Sequence, residues 1–415
     1  MKYGKCNLQN ANCILQFFLY LLIFWTSPVP AQESSAPLFD LHPADGVVAT
    51  GSLQQLRDDW SVSLGGTKPI QVKGTDLISL RRSQTALPST PRGERVVFTN
   101  GDQLPGTPLE LRAERIRFQA QIGTDAELNL PLSAISLFWF PAPQGIDDGD
   151  RLHPRSAAQR RKGDCALLRN GDLVEGTLTA LDAGEIHLDT AKGKEVQIAR
   201  SKVAVLALST ELARIFRPKG VYGRLVLTNG ARLSLLSAQA NGEELIGKTF
   251  FGASVRIPVR QIIALDLRQG RAVYLSDLEP RRYEHTPYLG VHWPYTKDTS
   301  VAGNELRVGS STFDKGIGMH SQSRLTYDLG GRYQWFEGSV GLDDRTGHEG
   351  SVLIEILVDG KPADWGTARE LTGRDKPLPV RVRVAGAREL TLAVLFGRHG
   401  DVQDHVDWAD ARLIK

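Results

Sequence analysis

Residues 314–344, DKGIGMHSQSRLTYDLGGRYQWFEGSVGLDD, alternate apolar and polar side chains between glycine-bounded turns. Leu325, Tyr327 and Leu329 recur at the two-residue period of a strand that buries one face. The stretch also holds His320 and ends in two aspartates. It therefore predicts antiparallel strands that end in a polar loop, and it raises the question of a functional site in that loop.

The chain that follows continues the strand pattern. The segments VLIEILV (352–358), VRVRV (380–384) and LTLAVLF (390–396) alternate in the same way, and Asp359-Gly360 marks a hairpin turn. Several short strands separated by such turns are typical of an antiparallel β-sandwich. We expect that fold for the last third of the chain.

Five segments carry a resemblance to a known family: YLSDLEP (274–280), the quoted stretch from Lys315, SVLIEILVDGK (351–361), ELTLAVLFG (389–397) and DHVDWADARL (404–413). In sequence and order they resemble the NPCBM/NEW2 family of carbohydrate-binding modules, over residues 272–415. The resemblance implies a galactose-binding-like jelly roll that binds a glycan through its loops and performs no chemistry.

The N-terminal two thirds contain a repeat. Asn100-Gly101-Asp102 and Asn170-Gly171-Asp172 lie 70 residues apart, with a glycine four residues after each aspartate, and weaker copies begin at Asp45 and Asn229. The glycine pairs predict tight hairpins with two positive φ angles, and the later glycine predicts a sharply bent strand. Five short strands per copy resemble the small SH3-like and Sm-like barrels.

The sequence therefore predicts an all-β protein: tandem small SH3-like β-barrel repeats followed by a C-terminal jelly-roll β-sandwich. The expected boundaries are a signal peptide at 1–31, repeats at 32–90, 91–140, 164–212 and 213–270, a linker at 141–163 and the module at 272–415.

The chain begins like an exported protein. Lys2 and Lys5 precede an apolar run, and Val29 and Ala31 fit a signal-peptidase site. Export to the periplasm or the extracellular space follows, with no membrane span after cleavage; an uncleaved anchor is the alternative. The 50 basic and 47 acidic residues of the chain nearly balance, which argues against a nucleic-acid partner.

Six side chains of the module form the expected glycan site. Trp335 offers an aromatic ring on which a sugar could stack, unless the preceding segment covers it. Two loops contribute the polar groups that bond sugar hydroxyls, although each aspartate could equally cap a turn; these groups are Asp343, Asp344, His348, Asp404 and His405.

No cofactor is certain from the sequence. The loop KDTSVAGN contains Asp298 and Ser300 among turn-forming residues, so a structural Ca²⁺ is an open alternative there. Cys165 alone remains after signal cleavage, which excludes a disulfide framework. We interpret it as a structural residue in a strand.

The leading hypothesis is a noncatalytic, exported carbohydrate-binding protein whose partner is a glycan or polysaccharide. A scaffold that binds protein partners in the cell envelope is the alternative, and an accessory or unrecognised glycoside hydrolase is third. No catalytic residue is assigned, because the adjacent Asp343 and Asp344 do not resemble carboxylates that flank a glycosidic bond.

Overall fold

The structure is a computed structural model that describes residues 36–66, 69–123, 126–141, 161–191, 193–211, 213–214, 218–366 and 368–415. The predicted signal peptide and most of the linker at 141–163 lie outside these residues. The described part consists almost wholly of β-strands joined by turns and short 3₁₀ helices. The all-β fold class is thereby confirmed.

Among the described residues, twenty strands precede residue 270 and fall into four groups of five. They are β1 (Leu38–Pro43), β2 (Ala49–Leu56), β3 (Val62–Gly65), β4 (Ile70–Val72), β5 (Leu77–Arg82), β6 (Arg95–Phe98), β7 (Gln103–Arg112), β8 (Arg115–Ala120), β9 (Glu127–Pro131), β10 (Ile135–Trp139), β11 (Asp164–Leu168), β12 (Leu173–Leu181), β13 (Glu185–Asp189), β14 (Glu195–Ala199), β15 (Val203–Ala207), β16 (Tyr222–Leu227), β17 (Arg232–Ala240), β18 (Glu244–Thr249), β19 (Ser254–Pro258) and β20 (Ile262–Arg268).

All four groups have the same antiparallel strand order, in which the fifth strand pairs with the first and the others follow in sequence. In the second group the order is β10-β6-β7-β8-β9. A 3₁₀ turn precedes the last strand in three groups, at Leu132–Ala134, Arg200–Lys202 and Val259–Gln261. This strand order is consistent with the expected small barrels. The relation of the four groups to SH3-like domains and the domain boundaries stay predictions.

The hairpin that opens each group differs from the one the sequence predicts. Gly101 has φ +82°, but Asn100 does not adopt a positive φ. The Asn100 side chain instead accepts a hydrogen bond from the Asp102 amide at 3.2 Å. The prediction of two positive φ angles is wrong, because an asparagine that bonds the backbone two residues on closes a four-residue turn with only the glycine left-handed.

The later glycine of the repeat behaves as predicted. Gly106 has φ +150°, and a Cβ atom there would lie 2.2 Å from the carbonyl oxygen of Gln119 on the next strand. In the third group a Cβ at Gly176 would lie 2.7 Å from the Asp189 oxygen. The second strand of each of these groups therefore crosses its neighbour too closely for a side chain, and only glycine allows the bend.

The C-terminal part contains fourteen more strands in the described residues. They are β21 (Ala272–Tyr274), β22 (Arg282–His285), β23 (Thr296–Lys297), β24 (Leu306–Val308), β25 (Ser311–Phe313), β26 (Gly316–His320), β27 (Ser323–Asp328), β28 (Trp335–Leu342), β29 (Ser351–Val358), β30 (Lys361–Pro362), β31 (Arg369–Thr372), β32 (Leu378–Arg383), β33 (Glu389–Phe396) and β34 (His405–Ile414).

Twelve of these strands form two facing antiparallel sheets, and β24 and β25 form a separate two-stranded sheet. One has the order β23-β26-β34-β28-β32, with β21 also on β34; the other has the order β22-β27-β33-β29-β30, with β31 also on β29. The alternating apolar side chains of both sheets fill one core, in which Trp408, Phe336 and Tyr327 are among the largest buried groups. This two-layer packing is the predicted β-sandwich.

A buried ion pair joins the sandwich to the fourth barrel group. Arg232 on β17 is 2% exposed and donates to both carboxylate oxygens of Asp314, which directly follows β25, at 2.9–3.2 Å. Burial by itself would raise the pKa of Asp314, but the Arg232 charge and its hydrogen bonds hold that pKa at about 2. Thr90 adds two hydrogen bonds to Glu305 across the same junction.

We predict that Arg232→Met lowers the free energy of unfolding by about 3–5 kcal/mol, because it leaves the Asp314 carboxylate buried without its partner. Chemical denaturation of the full chain measures the loss. Arg256→Met is the matched control, since Arg256 pairs with Glu244 in an exposed bridge at 2.9 Å and should cost less than about 1 kcal/mol. Equal stability of the two variants would contradict the importance of the junction.

Candidate functional site

Two loops meet at one end of the sandwich. The loop after β28 (343–350) and the loop before β34 (397–404) are connected by hydrogen bonds between side chains and the main chain. The Glu349 amide donates to the Gln403 side chain at 3.1 Å, and His399 donates through Nδ1 to the Glu349 carbonyl at 2.8 Å. The end of the sandwich is thus a defined surface and not a set of separate loops.

Asp404 fixes this end from inside. Its carboxylate is fully buried and accepts a hydrogen bond from Ser321 Oγ at 2.5 Å and from the Ser351 amide at 2.9 Å. Ser321 follows β26 and Ser351 begins β29, so one side chain connects both sheets with the loop before β34. Asp404 consequently positions the site from below and does not face solvent.

The carbonyl of Ser321 sets the protons on two histidines. His285 Nε2 lies 3.3 Å and His320 Nδ1 lies 2.8 Å from this oxygen. Because a carbonyl can only accept, each of these nitrogens carries the hydrogen. The lone pairs therefore lie on His285 Nδ1 and His320 Nε2.

An aromatic cluster lies above this carbonyl. The half-buried Trp293 stacks on His320 with ring centres 4.8 Å apart and planes 8° from parallel, and it contacts His405 at 5.3 Å. His292 lies beside His285 with their Nδ1 atoms 3.2 Å apart. We call these five rings, namely His285, His292, Trp293, His320 and His405, the imidazole–tryptophan cluster.

Exposed apolar side chains border the cluster. Tyr288, Leu289 and Val291 are 58%, 79% and 59% exposed in the segment leading to Trp293, and Val402 in the neighbouring loop is 50% exposed. Tyr288 packs its ring against Phe396 at 5.4 Å. Contiguous exposed apolar surface beside polar groups commonly marks a place where something binds.

The pKa values of three imidazoles of the cluster are lowered. Burial lowers the pKa of His320, and burial together with the neighbouring His292 lowers the pKa of His285. Burial and then the charge of His320 lower the pKa of His405 to about 4. Near neutral pH these three rings are therefore uncharged, with one donor and one acceptor nitrogen each, and in His285 and His320 the donor already bonds the Ser321 carbonyl.

Trp335 lies apart from the other expected site residues. It opens β28, stacks under the Arg381 guanidinium at 4.6 Å and packs near Ile78 of the first barrel group. It lines a groove of about 820 Å³ between that group and the sandwich. Tyr333, which the strand pattern places on the same face as Trp335, is a core residue that is 4% exposed.

The remaining expected residues divide between surface and interior. Asp344 and His348 are exposed, yet Asp344 accepts the amides of Gly309 and Ser310 at 3.1 and 2.6 Å, and His348 Nδ1 lies 2.8 Å from the carbonyl of Gly373. Asp343 is 1% exposed, and its Oδ1 accepts from the amide of the residue two positions on. Of the six residues, only His405 lies in the cluster; a sugar-binding role for them stays a prediction.

Sequence reasoning missed four members of the cluster: His285, His292, Trp293 and His320. The signal was available, since six of the nine histidines and four of the seven tryptophans lie after residue 280. Their convergence depends on the pairing of β22 with β27 and of β26 with β34, which the strand pattern alone does not give.

Asp298 and Ser300, the residues expected to bind a metal, differ in their hydrogen bonds. Both carboxylate oxygens of Asp298 accept hydrogen bonds, one from Lys315 Nζ at 2.6 Å and one from the Gly316 amide at 3.2 Å. The buried Ser300 lies beside Asp343. Asp343 Oδ2 and Asp407 Oδ1 are buried oxygens that accept no hydrogen bond in the described part of the chain. Within the described ranges, no group of three or more His, Cys, Asp or Glu side chains is arranged to hold a metal.

Residues 271–414 match the NPCBM/NEW2 domain family. A curated relative from Renibacterium salmoninarum, named "Putative endo-alpha-N-acetylgalactosaminidase", is 27% identical over 148 residues, which are 34% of this chain and 9% of that protein. The chain thus spans only a small part of its relative. None of the helices in the described residues is both long and apolar enough to cross a membrane.

Two solved structures from Clostridium perfringens are also similar. The module CBM51 of GH95, in complex with methyl-galactose, is 31% identical, with a TM-score of 0.31 and coverage of 34% of this chain and 99% of that one. The CBM51-2 and INT domains of ZmpB, in complex with GlcNAc, are 24% identical, with a TM-score of 0.32 and coverage of 42% and 38%.

The buried Asp404 predicts a pH dependence of stability. Burial raises its pKa to about 6, above the value of about 3.9 for an unfolded chain. Between about pH 4 and pH 6, Asp404 has lost its proton in the unfolded chain but still holds it in the folded chain. The protonated Asp404 therefore stabilises the fold fully below about pH 4, and this stabilisation is lost as pH rises through about 6.

We therefore expect Asp404→Asn to gain about 1–3 kcal/mol of unfolding free energy relative to the parent as pH rises from 4 to 7. Denaturant titrations of both proteins across this range measure the difference. A difference that does not change with pH would show that Asp404 ionises in the folded state as it does in the unfolded chain.

Proposed function

We propose that this protein, whose residues 271–414 form an NPCBM/NEW2 domain, binds a glycan at the imidazole–tryptophan cluster without cleaving it. The observation that carries the proposal is the half-exposed Trp293, held on His320 and surrounded by three further imidazoles at the loop end of the sandwich. The indole ring of Trp293 can stack on the apolar CH face of a sugar, and the surrounding imidazoles can bond the hydroxyls at its edge.

The fixed protons of the cluster support a polar, uncharged ligand. His285 and His320 each spend one N–H on the Ser321 carbonyl, so their orientations are set before a ligand arrives. A preorganised site loses less freedom on binding than one that must order its side chains. A hydroxyl can donate to one imidazole nitrogen and accept from another, whereas an anion could only accept.

The relatives support the same class of ligand. Of the two Clostridium structures, one is a complex with methyl-galactose and the other is a complex with GlcNAc. The Renibacterium protein carries a glycosidase name, but only 9% of its length corresponds to this chain. We assign no catalytic pair here, because Asp404 is buried beneath the surface and Asp344 is engaged by two amides.

Export completes the proposal. The expected signal peptide would bring the protein to the periplasm or the cell exterior, where polysaccharides are available as ligands. Asp344 and His348 lie on a loop at this end and are proposed to bond the outer hydroxyls of the glycan.

We predict that Trp293→Ala weakens glycan binding by about 1–3 kcal/mol, or roughly 5- to 150-fold, because it removes the ring on which the sugar rests. Calorimetric titration of the full chain with methyl galactoside and with N-acetylglucosamine measures the change. Folding should change little, since the tryptophan is only half-buried.

Trp335→Ala is the matched control, because it removes the same side chain from the groove between the first barrel group and the sandwich. It should leave sugar affinity unchanged. If Trp335→Ala abolishes binding and Trp293→Ala does not, the site lies in that groove and the proposal is wrong.

We further propose that a Ca²⁺ ion stabilises the domain next to Ser300. Asp343 Oδ2 and Asp407 Oδ1 are buried carboxylate oxygens that accept no hydrogen bond among the described residues. Burial and then the charge of Asp343 raise the pKa of Asp407 well above its usual range. Ca²⁺ prefers such oxygen ligands and would neutralise both.

Thermal melting in EDTA and in excess Ca²⁺ tests this ion. Ca²⁺ at a hundred times its dissociation constant should add about 2.7 kcal/mol of stability, and Mg²⁺ should add less because the site offers few rigid ligands. Asp407→Asn should remove the response. A melting temperature that is the same in EDTA and in Ca²⁺ would exclude the ion.

A further inference from the structure

One segment supplies two of the five rings of the imidazole–tryptophan cluster. Residues 286–294 connect β22 to the segment before β23 and carry His292 and Trp293. The Trp293 carbonyl accepts the Tyr283 hydroxyl at 2.5 Å, and its ring stacks on His320. The Thr286 amide donates to the Gln322 carbonyl at 2.9 Å, and His292 contacts His285.

The two Nδ1 atoms of the His285–His292 contact share one hydrogen. His285 uses Nε2–H for the Ser321 carbonyl, so its Nδ1 presents a lone pair to His292, 3.2 Å away. The Nδ1 of His292 must therefore donate. An N–H···N bond of this kind exists only while one of the two facing nitrogens is unprotonated.

Acid removes this bond by removing its acceptor. A proton that adds to His285 Nδ1 while His292 Nδ1 keeps its hydrogen leaves two N–H groups facing each other. Two donors at this separation repel, and the contact cannot persist.

The surroundings of the pair lower the pKa of His285. Burial and the charge of His292 lower this pKa, while the Ser321 carbonyl and Asp401 oppose the shift. His320 faces His285 at a ring distance of 6.4 Å, Tyr283 stacks beside His285 at 6.4 Å, and His405 lies beyond His320. Protonation of His285 therefore falls below the ordinary imidazole value of about 6.5.

We propose that the His285–His292 contact is a proton-sensitive latch that holds residues 286–294 against His285 and His320 near neutral pH and releases them in acid. The latch is a property of the protein without ligand. Its consequence, the acid release of a bound glycan, rests on the proposed function, because Trp293 belongs to the released segment.

Nuclear magnetic resonance of the ¹⁵N-labelled full chain tests the latch without a sugar. The indole signal of Trp293, assigned by its loss in Trp293→Phe, should shift between pH 7 and pH 4. Its midpoint should lie below 6.5 and coincide with the titration of His285 Nδ1, followed by ring ¹³C shifts in the same sample.

The variant His292→Gln separates the latch from general acid effects. A glutamine can donate to His285 at neutral pH and can turn its amide oxygen toward His285 in acid, so the Trp293 transition should disappear. His399→Gln is the matched control, because His399 is exposed and bonds Glu349 instead, and it should leave the transition unchanged. A Trp293 signal that is constant in the parent, or that shifts equally in His292→Gln, would overturn the latch.

A second arm addresses the glycan. In the parent, methyl galactoside should bind at least tenfold more weakly at pH 4 than at pH 7. In His292→Gln, whose affinity is compared only with its own value at pH 7 because His292 belongs to the cluster, this loss should be absent. If the parent binds equally on both sides of its Trp293 transition, the release of ligand is wrong. If neither protein binds the sugar at any pH, the proposed function fails while the indole result still decides the latch.

Discussion

The hydrogen bond from Ser321 to Asp404 supports the whole loop end of the sandwich. Asp404 is buried and ties the end of β26 to the start of β29, and the carbonyl of the same serine orients His285 and His320. The surface groups of the cluster therefore depend on a carboxyl that no ligand would touch. On the surface above this buried carboxyl, His292 is exposed and Trp293 is half-buried, and this is where we place the sugar.

Much of the fold follows from the sequence because its signals are local. The alternation of apolar and polar residues in β27, β29 and β33 predicts the sandwich. Gly106 predicts a sharply bent strand, and a side chain at this position would collide with the Gln119 carbonyl. The turn before it was predicted with two left-handed residues and has one, since pattern reasoning considered backbone angles and not the Asn100 side chain. Local signals locate strands well and assign side-chain roles poorly.

The candidate site was less predictable because it is assembled by long-range pairing. His285 and His320 lie 35 residues apart and meet only because β22 pairs with β27, and His405 joins them through the pairing of β26 with β34. Trp335 was expected in the site on the strength of its strand position alone. That position fixes a face of the sheet but not which end of the sandwich the ring reaches, and the structure puts it beside the first barrel group.

The central claim is that a sugar occupies the imidazole–tryptophan cluster, and a crystal structure of the full chain soaked with methyl galactoside near neutral pH tests it most directly. The account predicts a sugar ring in contact with Trp293, with at least one hydroxyl within hydrogen-bond distance of an imidazole nitrogen of the cluster. Sugar bound in the Trp335 groove, or on another face with the cluster empty, would contradict it.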